Sequence, residues 1–240
     1  MMLLNIVIGL AAGWVLAQAG IWLLVRRGLA PDATEPSAAN NAEGLATQAR
    51  VRFPVRGRLA ANSAAAFGTA ALFALMYMRF GLSGAWVIGL LLSALSVLIS
   101  FTDLTARVIP NGALLVFAST LLTAVLLWSD RPLLNHALGA LVGGGFLLLL
   151  AVVTSGRGMG MGDVKLLALL GWVIGFPGVI IALFLASLTG AVAGLLLKVA
   201  RREEGRQTIA FGPFLAFGTL VVYMYGEEII HWYLSNVVHL

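Results

Sequence analysis

Leu90-Leu91-Leu92-Ser93-Ala94-Leu95-Ser96-Val97-Leu98 is a mostly apolar run without alternation, and its reading decides the fold class. A strand of a membrane barrel alternates lipid-facing and lumen-facing residues. A helix in lipid satisfies its own backbone and needs only an apolar exterior. The whole chain of 240 residues shares the bias of this run: 60% of it is hydrophobic, 10% is charged, and the mean hydropathy is +0.99. Too few polar side chains remain to coat a soluble globule of that length. The expectation is an all-α, polytopic membrane protein.

One crossing takes about 20 apolar residues. Eight candidate spans fall at 3–25, 59–78, 84–101, 113–128, 133–153, 164–175, 179–199 and 211–233. The sixth is the weakest, because it is short and Gly171, Gly175, Pro177 and Gly178 would make it a partial crossing or a hairpin with the seventh. The first span has no basic residue before its apolar run and no Ala-x-Ala site, so it reads as a retained helix and not as a cleaved signal. The organisation expected is a first transmembrane helix over 1–25, a short basic loop over 26–58, and a membrane-embedded core over 59–240. The chain has no cysteine, which excludes disulfides and thiolate metal sites.

A net charge of +5 would suggest nucleic acid in a soluble protein. Here it reflects cytoplasmic loops, and no nucleic-acid partner is expected. Assigning loops alternately to the two sides puts thirteen of the fifteen Lys and Arg on one side and leaves only Arg79 and Arg131 on the other. The positive-inside rule makes the richer side cytoplasmic, in an inner membrane with both termini outside. The loop over 26–58 has no periodicity that would build a core. Its basic end, Arg50 to Arg58, suits anionic membrane lipid at about 1 kcal/mol per basic residue, although topology alone also explains these arginines.

Two motifs carry chemistry. Asp103-Leu104-Thr105-Ala106-Arg107-Val108-Ile109-Pro110-Asn111 and Gly158-Met159-Gly160-Met161-Gly162-Asp163-Val164-Lys165 each place one aspartate at the end of an apolar span. A carboxylate held near lipid is a functional candidate, and the loop assignment puts both on the cytoplasmic face. Pro110 disfavours helix at Ile109 and Asn111 is a good N-cap, so Asp103 to Asn111 is expected to form a structured turn. Gly158, Gly160 and Gly162 recur at every second residue. In an extended segment they would leave one edge bare for a substrate strand. Two adjacent carboxyls that share one proton supply both a base for water and an acid for a scissile carbonyl. On the helix dipole alone, Asp163 at a helix start would be the base and Asp103 at a helix end the acid, unless the pair titrates only as a unit. Singly, each aspartate is explained as a solvated loop residue, Asp163 as an N-cap and Asp103 as a partner of Arg107. Their occurrence together on one face favours function.

On these motifs the chain resembles the type IV prepilin peptidases, membrane aspartic proteases of the Gly-x-Gly-Asp class. The resemblance runs from about Leu59 to the C-terminus and includes Phe211-Gly212-Pro213-Phe214-Leu215-Ala216. It implies that Asp103 and Asp163 are the catalytic pair, and that Gly158, Gly160, Gly162, Lys165, Pro110 and Asn111 shape the site or touch substrate. The substrate implied is a prepilin or pseudopilin, cut at the cytoplasmic face to remove a short basic leader, with no cofactor for proteolysis and no metal. Many bacterial members also methylate the new amine with S-adenosylmethionine and carry a larger insert with paired Cys-x-x-Cys zinc ligands after the first span. This chain departs from them: its loop is short and lacks cysteine, so S-adenosylmethionine is expected only if methylation is retained. The Tyr-Asp and Pro-Ala-Leu motifs of presenilin-like proteases are absent.

Four other readings compete. Gly81-Leu82-Ser83-Gly84 and His136-Ala137-Leu138-Gly139 faintly resemble elements of rhomboid serine proteases, although Gly and Ser are also ordinary turn residues. Glu228 and His231 stand at helical spacing but supply only half a metal-ligand set. A transporter would place its acidic residues near the midplane, between repeats, whereas these sit near one face of a chain without a visible repeat. A noncatalytic assembly component is the remaining alternative.

Overall fold

The computed structural model describes residues 1–26, 55–155, 160–201 and 210–238. Eight α-helices follow one another: α1 (Met2–Arg26), α2 (Val55–Phe80), α3 (Gly84–Ala106), α4 (Asn111–Trp128), α5 (Leu133–Val153), α6 (Met161–Ile174), α7 (Gly178–Arg201) and α8 (Gly212–Tyr233), the last running into a π-helical turn, Leu234–Val238. No strand occurs among the described residues. Seven of the helices are long and apolar enough to cross a bilayer, and α6 is the exception. Its 14 residues cover about 21 Å at 1.5 Å per residue, short of a hydrocarbon core of about 30 Å. Most of the basic loop expected over 26–58 lies outside the described residues, and α2 already begins at Val55.

Lipid tails are as apolar as leucine, so helices in a membrane associate through close packing. Small residues bring the backbones together. Gly9 and Gly13 of α1 lie against Ala70 and Ala66 of α2, and Gly139 of α5 lies against Gly171 of α6, each under the other's carbonyl oxygen. α3 is the hub, packing on α1, α2, α4 and α8. Leu92, Leu95 and Ile99 of α3, Leu121 of α4, Leu147 of α5, Leu166, Leu167 and Leu170 of α6 and Leu215 of α8 are fully buried at the centre.

Contacts along α5 show the height of α6. Gly139 faces Gly171, Gly143 faces Leu167, and Gly144 faces Ala168 and Val164. Continued along this antiparallel register, the start of α6 lies level with about residue 149 of α5, about one turn short of its end at Val153. Asp163 is recessed below the end of its neighbour by about two turns.

Candidate active site

α3 starts at Ser83, whose Oγ accepts from the Trp86 N–H at 3.2 Å, an ordinary N-cap. It extends past the expected end at 101 because polar side chains are satisfied within the helix. Thr102 Oγ1 donates to the carbonyl of Leu98 at 3.1 Å, and Thr105 Oγ1 to that of Phe101 at 2.7 Å. Asp103 thus stands in the last turn of α3 and not in the turn that follows. Arg107 closes the helix in the left-handed region at φ 53°, its N–H donating to the Asp103 carbonyl at 2.8 Å. Pro110, rather than Asn111, occupies the N-cap position of α4. Asn111 is the first helical residue, and no side chain caps this start, because proline at the cap lacks a side-chain acceptor.

The Asp103 carboxyl is 6% exposed and its Oδ2 accepts a 2.8 Å hydrogen bond from the Gly212 N–H. That donor is one of those left unsatisfied at the start of α8. A side chain at Gly212 would meet Asp103 Oδ2 at 2.7 Å, so the approach requires glycine. Asp163 lies in the first turn of α6, half-buried. Burial first, and then the charge of Asp103, push its carboxyl up to about 6 against a backbone hydrogen bond from Gly160. The two carboxyls therefore act on one another electrostatically, although α3 and α6 share no extensive contact. They are joined through the α3–α4 turn, where Ile109 packs so closely on Gly162 that an added Cβ would lie 3.1 Å away, and through α4 and α8, both of which touch α6.

Helix ends do not separate the two roles as the sequence suggests. Asp163 sits at the start of α6, but Asp103 also faces the start of α8 through Gly212, so a helix N-terminus favours negative charge at both. The glycine edge is also altered. Gly160 is extended, at ψ 144°, but Gly162 lies within α6, whose first bond runs from the Asp163 N–H to the Gly160 carbonyl at 3.1 Å. A bare edge from three extended glycines is therefore not formed. Gly162 is needed for the room Ile109 occupies, and Gly158 lies outside the described residues. Pro110 is buried beside Ile109, whereas Asn111 and Lys165 are exposed.

Residues 90–195 match the type IV leader peptidase family. A prepilin leader peptidase/N-methyltransferase of Bacillus subtilis is 35% identical over 172 residues, covering 72% of this chain and 69% of the relative. This chain belongs to the type IV leader peptidase family. Enzymes of the same name from Aeromonas salmonicida and Neisseria gonorrhoeae are 35% and 32% identical, over 62% and 71% of this chain. The chain spans 69%, 52% and 60% of the lengths of these three relatives. No solved structure matches it at a significant level.

The stretch matched to the leader peptidase family contains both aspartates but ends before Gly212. Gly212 was visible in the sequence as part of the Phe211 to Ala216 segment that carries the resemblance. Its role was not, since it acts through a backbone N–H that nearly every residue has. The residues of the serine reading are used otherwise. Ser83 caps α3, and His136 bonds Ser129 and the Trp172 carbonyl. Glu228 pairs with Arg79, and no group of three or more metal-ligating side chains occurs among the described residues.

Proposed function

We propose that this chain is an aspartic endopeptidase of the inner membrane that removes the short basic leader from a prepilin or pseudopilin at the cytoplasmic face, with Asp103 and Asp163 as its catalytic pair. The observation that carries the reading is the placement of two carboxyls at one end of the bundle, Asp103 buried and bonded to the Gly212 N–H and Asp163 half-buried in the first turn of α6, joined by the packing of Ile109 on Gly162. With a single proton between them, the ionised carboxylate takes a proton from water as the water oxygen attacks the scissile carbonyl carbon. The protonated partner gives its proton to the carbonyl oxygen. The tetrahedral intermediate then collapses: the leaving nitrogen receives the proton taken from water, the C–N bond breaks, and one hydroxyl of the gem-diol returns its proton to the partner carboxylate, which restores the singly protonated pair. Neither step draws on a cofactor. The excess of basic residues on the side of both motifs supports a cytoplasmic orientation with both termini outside.

The test is cleavage of a leader-bearing prepilin by the full chain in detergent or membranes, with the mass of the new N-terminus measured. Cleavage that survives Ser83→Ala and disappears in folded Asp163→Asn is the expected result. Retained cleavage in Asp163→Asn would reject the aspartic mechanism. A product heavier by one methyl group would show that the methylation named in the relatives is retained.

A further inference from the structure

At the end remote from the carboxyls, α6 is gripped by the α4–α5 connection and the first turn of α5. His136 is 2% exposed and both its ring nitrogens are bonded, Nδ1 to the Trp172 carbonyl at 2.7 Å and Nε2 to Ser129 Oγ at 2.8 Å. A carbonyl only accepts, so Nδ1 carries the proton and Nε2 accepts from the Ser129 hydroxyl, which fixes one neutral tautomer. Beside it, Arg131 Nη1 donates to the Ile174 carbonyl at 2.7 Å. Asn135 brackets Phe176, donating to its carbonyl at 2.6 Å and accepting from its N–H at 3.1 Å. The carbonyls of Trp172 and Ile174 are among the last four of α6, which have no donor within a regular helix.

This grip bears on the other end. Asp163 is nine residues before Trp172 on the same helix, about 14 Å along the axis. A helix is stiff along its axis, so a displacement at Trp172 arrives at Asp163 undiminished. Beside the carboxyl, Ile109 packs on Gly162, whereas Met161 and Lys165 are exposed. We propose that His136 is a positioning residue for peptide hydrolysis, setting through the Trp172 carbonyl the height of α6 and hence the meeting of Asp163 with Asp103, a role that rests on these two aspartates being the catalytic pair. Phenylalanine would fill the same space without a buried polar group. A histidine there has a use only if its hydrogen bonds do.

The experiment compares kcat and KM for cleavage of a leader-bearing prepilin by the wild-type chain, Asp163→Asn, His136→Phe, His136→Asn and Arg131→Met, with the folded fraction of each measured by thermal melting. A misplacement of about 1 Å at reacting groups lowers rates by about a hundredfold. His136→Phe is therefore expected to lose at least about tenfold in kcat while KM stays within about twofold. In His136→Asn the side-chain amide stands near the former Nδ1 and donates to the same carbonyl, so kcat is expected to return to within about threefold of wild type. Arg131→Met, at a half-exposed position, is expected to show a smaller loss, also confined to kcat. The proposal is overturned if His136→Phe keeps wild-type kcat, if Phe and Asn lose kcat equally, or if His136→Phe does not fold and Arg131→Met keeps wild-type kcat. Full activity in Asp163→Asn, or no cleavage by the wild type, would instead overturn the catalytic reading and this proposal with it.

Discussion

Asp103 is held by a contact that tolerates no side chain. A Cβ on Gly212 would lie 2.7 Å from Asp103 Oδ2 and 3.2 Å from Ile99 Cγ2, so Gly212→Ala must displace either the carboxyl or the start of α8. Steady-state cleavage by this variant is expected to show kcat lowered by at least about tenfold, and a wild-type rate would show that the Gly212 N–H does not position Asp103. Electrostatics at Asp163 set the pH dependence. Its carboxyl is pushed up to about 6 by burial and by the charge of Asp103. The singly protonated pair is therefore kept below that pH and lost above it as the second proton leaves. The profile of kcat/KM against pH is expected to fall on its alkaline side with an apparent pKa near 6, a property of the pair and not of one residue. Both aspartates were legible in the sequence because a carboxylate stands out in an apolar chain. Gly212 was not, since its part is played by backbone geometry, and helix ends give no contrast between the two carboxyls because the start of α8 lies across from Asp103.

Among the elements, hydropathy located every helix but misjudged some ends. α3 runs on to Ala106 because Thr102 and Thr105 turn their hydroxyls onto their own backbone, hiding polarity that a composition window counts as exposed. The weakness of the sixth span was real, and its cause is visible: α6 is a short helix wedged against α5 at Gly139 and Gly171, where each lies under the other's carbonyl oxygen. Enlarging either residue must separate the two helices. Gly139→Val is expected to destabilise the folded protein by about 1 to 3 kcal/mol, the usual range for overpacking, and to lower its melting temperature in detergent. An unchanged melting temperature would mean that the pair is not closely packed.

For the whole molecule, the two ends of the bundle differ in character. One carries Asp103 and Asp163. The other carries the ion pairs Arg79–Glu228 and Arg131–Glu227, which tie α2 and the α4–α5 connection to α8. Because the chain has no cysteine, its orientation is testable with single exposed cysteines. Asn111→Cys is expected to react with an impermeant maleimide only after the cytoplasmic side is opened, and Asp130→Cys to react in intact cells. The reverse pattern would invert the proposed topology. The helical class was legible because lipid restricts backbones to few solutions. How α3 and α6 are joined was not, since the link runs through Ile109, Gly162 and α8 rather than through a direct contact. The most direct measurement is cleavage rate per folded enzyme in Asp103→Asn, Asp163→Asn and the double variant. If the carboxyls work as one pair, each single variant loses about as much as the double, because groups acting as a unit are far from additive. Substantial cleavage by either single variant, or losses that simply multiply in the double, would contradict a shared catalytic pair.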